Sequence, residues 1–134
     1  MEYKMKHLEL IQNIINRMAS NSFLVKGWCV TLVSVLLALE SQSSNAKYLL
    51  VALLPALMFW ILDAYFLRQE RLFRKLYDGV RILDEKSIDF SMNTLSFTKT
   101  TSWLSALFSQ TLIIFYGLIL IAIIIAILIA NKVL

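Results

Sequence analysis

The sequence predicts an all-α integral membrane protein with three transmembrane helices, the second extended into the cytosol, and an N-terminal amphipathic helix. Three observations carry that class. Of 134 residues, 59% are hydrophobic and only 16% charged, a membrane-protein profile in a chain of single-domain size. Three apolar runs, at 22–40, 46–67 and 103–131, approach or exceed the roughly 20 residues needed to cross a hydrocarbon core. Lysine and arginine gather on one side of these runs, which sets orientation.

The stretch from Ala46 to Leu83 organises the rest. It begins apolar, passes Pro55 and Asp63, and becomes the charged run LDAYFLRQERLFRKLYDGVR. The pattern predicts one long helix, a span at 46–67 with a cytosolic extension at 68–83. Pro55 costs a backbone hydrogen bond and predicts a bend, which neighbouring helices can compensate in a membrane.

Ahead of it, residues 1–20 read as an amphipathic helix on the inner membrane surface or against the cytosolic extension. Leu8, Ile11, Ile15 and Met18 recur at helical spacing and Ile14 widens the stripe. His7 has no second histidine or cysteine near it in sequence, and reads as a solvated surface residue. Ser20-Asn21-Ser22 are cap-preferring residues and predict an interruption. The first span, 22–40, carries Lys26, which must snorkel or pair at the cytosolic side. Gly27, Thr31, Ser34 and Ala38 form a line of small residues along it, which lets another helix approach closely. Cys29, the lone cysteine, reads as a small packing residue and excludes an internal disulfide. ESQSSN at 40–45 is a polar turn.

After the long helix, residues 84–101 are rich in Ser, Thr, Asn and Asp and read as a cytosolic loop. Ile88, Phe90 and Met92 alternate with Asp89, Ser91 and Asn93, which predicts a short strand there. The third span, 103–131, starts at Trp103, an interfacial residue type. Ala122, Ala126 and Ala130 give it a second small-residue line. No short apolar region with a cleavage site marks a signal peptide.

Lys4, Lys6, Arg17 and Lys26 precede or open the first span, and seven further cations follow the second, whereas only Lys47 and Lys132 lie on the other side. The expected topology is a cytosolic N-terminus and an outside C-terminus. Reporters fused to the two ends check it. A cytosolic C-terminal reporter excludes three spans.

Two groups of residues are candidate sites. Counted inward from the outer turn, Lys26 and Asp63 lie about 20–25 Å down antiparallel helices, and Tyr116 reaches similar depth on the third. Pairing among Lys26, Asp63 and Tyr116 would satisfy charges that are costly unpaired in lipid. A structural lock between helices is the favoured role. A proton or ion relay is the alternative, but no ionisable residues continue across the bilayer above this level. On the cytosolic extension, Phe66, Phe73, Leu76, Val80 and Leu83 form a heptad-like apolar face. It must bury against the N-terminal helix, the loop or another subunit, and the small cytosolic mass of one chain favours an oligomer interface. Arg68, Arg71, Arg74 and Lys75 are candidate contacts for an anionic lipid or ligand, against the plainer reading of positive-inside charges. No glycine-rich phosphate loop, histidine pair or activated serine is present. The sequence therefore suggests no catalytic residue, cofactor or metal.

The run FWILDAYFLRQERLFRKLYDGVR at 59–81, followed by IDFSMNT at 88–94, resembles the RipA-like family of small octameric bacterial membrane proteins. That resemblance covers most of the chain. It implies a bacterial inner-membrane homo-octamer and brings no reaction or catalytic residues with it.

The expected function is that of a homo-oligomeric bacterial inner-membrane assembly or interaction protein, not an enzyme, with membrane lipids and an unidentified protein as partners. Nucleic acid is not among them, because the basic residues flank apolar runs. The alternative is an oligomeric channel or transporter-like pore. Its weakness is the lack of a polar stripe on the third span.

Overall fold

In the computed structural model, residues 2–43 and 47–132 are described. The chain is all-helical apart from its connections. α1 (Glu2–Ser43) and α2 (Lys47–Arg81) are long helices of 42 and 35 residues. Two 3₁₀ turns follow, at Glu85–Ser87 and Leu95–Thr100. The chain ends in short α3 (Trp103–Leu107) and α4 (Gln110–Lys132). Three helices contain segments long and apolar enough to cross a membrane, within Glu2–Gln42, Lys47–Arg81 and Gln110–Ala130. Most of the 40–45 turn joins α1 instead, since helix continues through Ser43. Residues 44–46 and 133–134 lie outside the described residues.

α2 runs uninterrupted through Pro55 and past Asp63. α1 packs along it for most of its length. The helix break expected at Ser20–Ser22 is absent, and the amphipathic segment and the first apolar run form one rod. The reason is local and tertiary together. Ser22 does not turn its side chain onto its own backbone, as a cap would. It donates to Asp63 of α2 and accepts from Lys26 one turn on.

The third apolar run is not one helix. It breaks at Phe108–Ser109. Ser102 caps α3, its side chain accepting from the Ser105 N–H at 3.2 Å. Ser109 opens α4 in the same way, accepting from the Leu112 N–H at 3.4 Å. A carbonyl freed by the break, that of Leu107, accepts from the Trp60 indole at 2.9 Å. Serine oxygens thus satisfy the N–H groups a new helix leaves open, and a neighbour satisfies an open C=O.

No strand forms at 88–93 among the described residues. Asp89, Ser91 and Asn93 each accept from the backbone N–H two residues further on, at 3.0, 3.2 and 2.9 Å. These local turns account for the period of two that resembles a strand. Phe90 adopts a left-handed backbone with φ 56° and packs its ring 5.5 Å from His7 and 6.2 Å from Tyr3.

Two apolar clusters hold the helices. One unites Cys29, Val33, Ala52, Ala56, Ala64, Leu112, Tyr116 and Ile123, at the level of the apolar segments. The other lies toward the opposite end. There Ile11 and Ile15 of α1 meet Leu76 and Val80 of α2, with Leu8, Phe73, Tyr77 and loop residues Ile88, Met92 and Phe97 around them.

Candidate functional site

Asp63 is fully buried in the middle of α2, with donors from two other helices converging on it. Lys26 of α1 donates to Oδ2 at 2.6 Å. Tyr116 of α4, itself fully buried, donates to the same oxygen at 2.9 Å. The Ser22 hydroxyl donates to Oδ1, and Lys26 also donates to Ser22 at 2.8 Å. Both carboxylate oxygens are therefore occupied by donors of the same chain. The three residues singled out from the sequence meet. Ser22 is the member that sequence reasoning missed. Its signal was spacing, since Ser22 and Lys26 stand four apart on one helix face.

The surroundings fix the cluster. The Tyr116 ring stacks on Trp60, with centroids 6.1 Å apart and planes 8° from parallel. Phe115 meets Tyr116 edge-on at 4.9 Å and lies under the Lys26 ammonium at 5.8 Å. Lys26 keeps 23% of its side chain exposed while Asp63 keeps none. The amine thus sits at the rim and the carboxylate at the centre. Chemically this is an anion neutralised by one cation and hydrogen-bonded by two hydroxyls. A carboxylate held by good geometry on both oxygens is how a buried ion pair recovers its desolvation cost.

Part of the apolar face in the C-terminal half of α2, read from the sequence as an oligomer interface, is covered by the chain's own α1. Leu76 and Val80 are buried by Ile11 and Ile15 of their own chain, and Phe73 is half-buried there. α1 is one rod, so its N-terminal half is carried down α2 and lies over this face. Phe66 is half-buried, and Leu83 stays 37% exposed. His7 is not solvated either. It is fully buried, and its Nε2 donates to the Ser91 carbonyl at 2.8 Å. Its partner lies 84 residues away, so nothing local in the sequence signals the burial.

The basic residues of α2 tie down the connection to α3. Arg68 Nε donates to the Thr101 carbonyl at 3.1 Å, and Lys75 to the Thr100 carbonyl at 2.8 Å. Arg71 reaches Ser105 Oγ at 3.4 Å, and Arg74 reaches Glu70 at 3.4 Å. Glu70–Arg74 is the four-residue pair visible in the sequence. At the other end of the connection, Glu85 accepts from the backbone N–H groups of Tyr3 and Lys4, at 2.7 and 3.2 Å. That anchors the first turn of α1, where a carboxylate is favoured by open N–H groups.

Among the described residues, no group of three or more His, Cys, Asp or Glu side chains could hold a metal ion. Comparison with protein-family models, with curated proteins and with solved structures returns no match.

Proposed function

We propose that this chain is a homo-oligomeric assembly protein of the bacterial inner membrane, without catalytic activity, its N-terminus cytosolic and its C-terminus outside. One observation carries the assembly reading. Gly27, Thr31, Ser34 and Ala38 lie along one line of α1, and all four are exposed. α2 and α4 pack elsewhere on α1. A Cβ built at Gly27 meets nothing within 4 Å. Small residues favour close helix approach in a bilayer, and the chain's own helices leave this line uncovered. Below it, Glu9, Asn13, Asn16 and Ser20 continue the same side of the rod and are also exposed. A second copy of α1 fits such a surface. An octamer is the size that the family resemblance implies.

The Asp63 cluster serves in this reading as the lock that keeps the three apolar helices in register while copies associate. Gly27→Leu and Ser34→Leu are the direct test of the assembly surface. Either should reduce the oligomer to smaller species in mild detergent, as read by native mass. Ile124→Ala, at an exposed position of α4, is the control and should leave it intact. Wild-type mass in both α1 variants places assembly on another surface.

The second reading, an oligomeric channel or transporter-like pore, draws on the same line. Copies meeting through α1 around an axis would turn Thr31 and Ser34 toward it. The Thr31 hydroxyl already donates to the Gly27 carbonyl at 2.9 Å, which leaves little polarity to hold a water column. Ion flux through liposomes holding the intact oligomer separates the two. Its absence removes the pore.

A further inference from the structure

Between α2 and the chain at 100–105 lies a recess of about 340 Å³. Arg71, Arg74 and Lys75 form one wall, and Thr101, Ser102 and Ser105 face them. We propose that this recess binds the phosphate of an anionic lipid headgroup.

The first argument is charge. Three cations and several hydroxyls line the recess, and no carboxylate does. The contacts that hold the two arginines are long, at 3.4 Å each to Ser105 and Glu70. A guanidinium carries five donors, so both have further N–H groups to offer. Arginine forks beside serine and threonine hydroxyls match the several oxygens of a phosphate.

The second argument is independent of charge. Thr101 lines the recess, is only 5% exposed, and its Oγ1 has no hydrogen-bond partner. Buried polar groups are almost always bonded. The Oγ1 is itself shielded from solvent, so a rotation about χ1 that turns the hydroxyl into the recess would give it a phosphate oxygen as partner.

The third argument is depth, and it rests on the membrane reading above. Counted from Lys47 at 1.5 Å per residue, a hydrocarbon core of about 30 Å ends near Leu67. Arg71 to Lys75 then fall about 6–12 Å beyond it, where lipid phosphates lie. Trp103, beside Ser102, is of the residue type that marks this level. A soluble phosphate compound could offer the same oxyanion, but it would have to enter the headgroup layer to reach the recess.

The test is native mass spectrometry of the full chain in mild detergent with equal phosphatidylglycerol and phosphatidylcholine. The wild type should retain phosphatidylglycerol by about tenfold or more over phosphatidylcholine, a single step on the affinity scale. The Arg71→Ala/Lys75→Ala variant should lose that preference. Lys86→Ala/Lys99→Ala removes the same charge outside the recess and should keep it. Thr101→Val changes no charge and removes a hydroxyl with no partner in the fold, and it should lower the preference severalfold. Equal retention of the two lipids by the wild type, or equal loss in both double variants, overturns the proposal. Inorganic phosphate that displaces phosphatidylglycerol at millimolar concentration overturns the lipid assignment in favour of a soluble ligand. Alkaline carbonate extraction reads insertion separately. An extractable chain defeats the membrane reading as a whole, whereas an inserted chain without lipid preference defeats this inference alone.

Discussion

Asp63→Ala is expected to be strongly destabilising to the half of the molecule that holds the apolar segments. It removes the acceptor for Lys26, Tyr116 and Ser22 together. Breaking a buried ion pair by deleting one partner costs about 3–5 kcal/mol, because the other charge stays behind uncompensated. The cost is not symmetric. Lys26 sits at the rim with 23% of its side chain exposed and can turn toward headgroups. Asp63, fully buried, has no such escape. Lys26→Met leaves a fully buried carboxylate with two hydroxyl donors and no cation, and should therefore cost more than Asp63→Leu, which leaves a rim lysine that can turn away. Tyr116→Phe deletes one hydrogen bond to a charged group, about 1.5–3 kcal/mol. The Trp60 stack survives in that variant, because it needs only the ring. The double change Asp63→Leu/Lys26→Met should recover part of the single-variant loss, since it leaves no charge in the apolar cluster. Unfolding in mixed micelles, monitored by tryptophan fluorescence, measures the series. Strictly additive losses would show that the ion pair contributes nothing as a pair.

This cluster was legible in the sequence for a specific reason. Lys26 and Asp63 are the charged side chains deep in the apolar runs, and helix rise alone places them and Tyr116 at one depth. The long α2 was legible too, because its apolar pattern continues past Asp63 without a glycine or proline stop until Gly79. What the sequence concealed has a common cause. Ser22, Ser102, Ser109 and the Asp89–Asn93 series are short polar residues that can bond locally or at a distance. Ser22 chose a tertiary partner and let the helix continue. Ser109 chose a local N–H and broke one. Composition does not separate these outcomes. The pattern around Ser109 did carry a signal, since a serine three residues before a long aliphatic run is an N-cap signature. His7 carried none. Its burial depends on Ser91 and Phe90, which the 82–102 connection brings back over the start of α1.

The layer formed by the N-terminal end of α1 and the C-terminal end of α2 should depend on Leu76 and Ile11 in a way that the apolar segments do not depend on any one aliphatic side chain. Leu76 is 8% exposed and Ile11 fully buried, and both belong to the cluster that closes the α1 and α2 ends. This end lies outside the hydrocarbon in the proposed topology, so water is the alternative to burial and the hydrophobic effect acts in full. Truncating a buried leucine or isoleucine to alanine costs about 2–5 kcal/mol. The layer has few other large buried side chains to share the loss. Ile11→Ala and Leu76→Ala should each raise amide exchange across the first four turns of α1 and the last three of α2. Exchange in the apolar segments should stay slow. The two substitutions should also couple, because both open the same cluster. Ile124→Ala faces lipid in the proposed arrangement and should change neither end. The experiment also decides what covers the Phe73–Val80 face. If exchange rises at any dilution of the oligomer, the cover is the chain's own N-terminal helix. Protection that falls only when the oligomer is diluted to single chains would mean that a second copy supplies it.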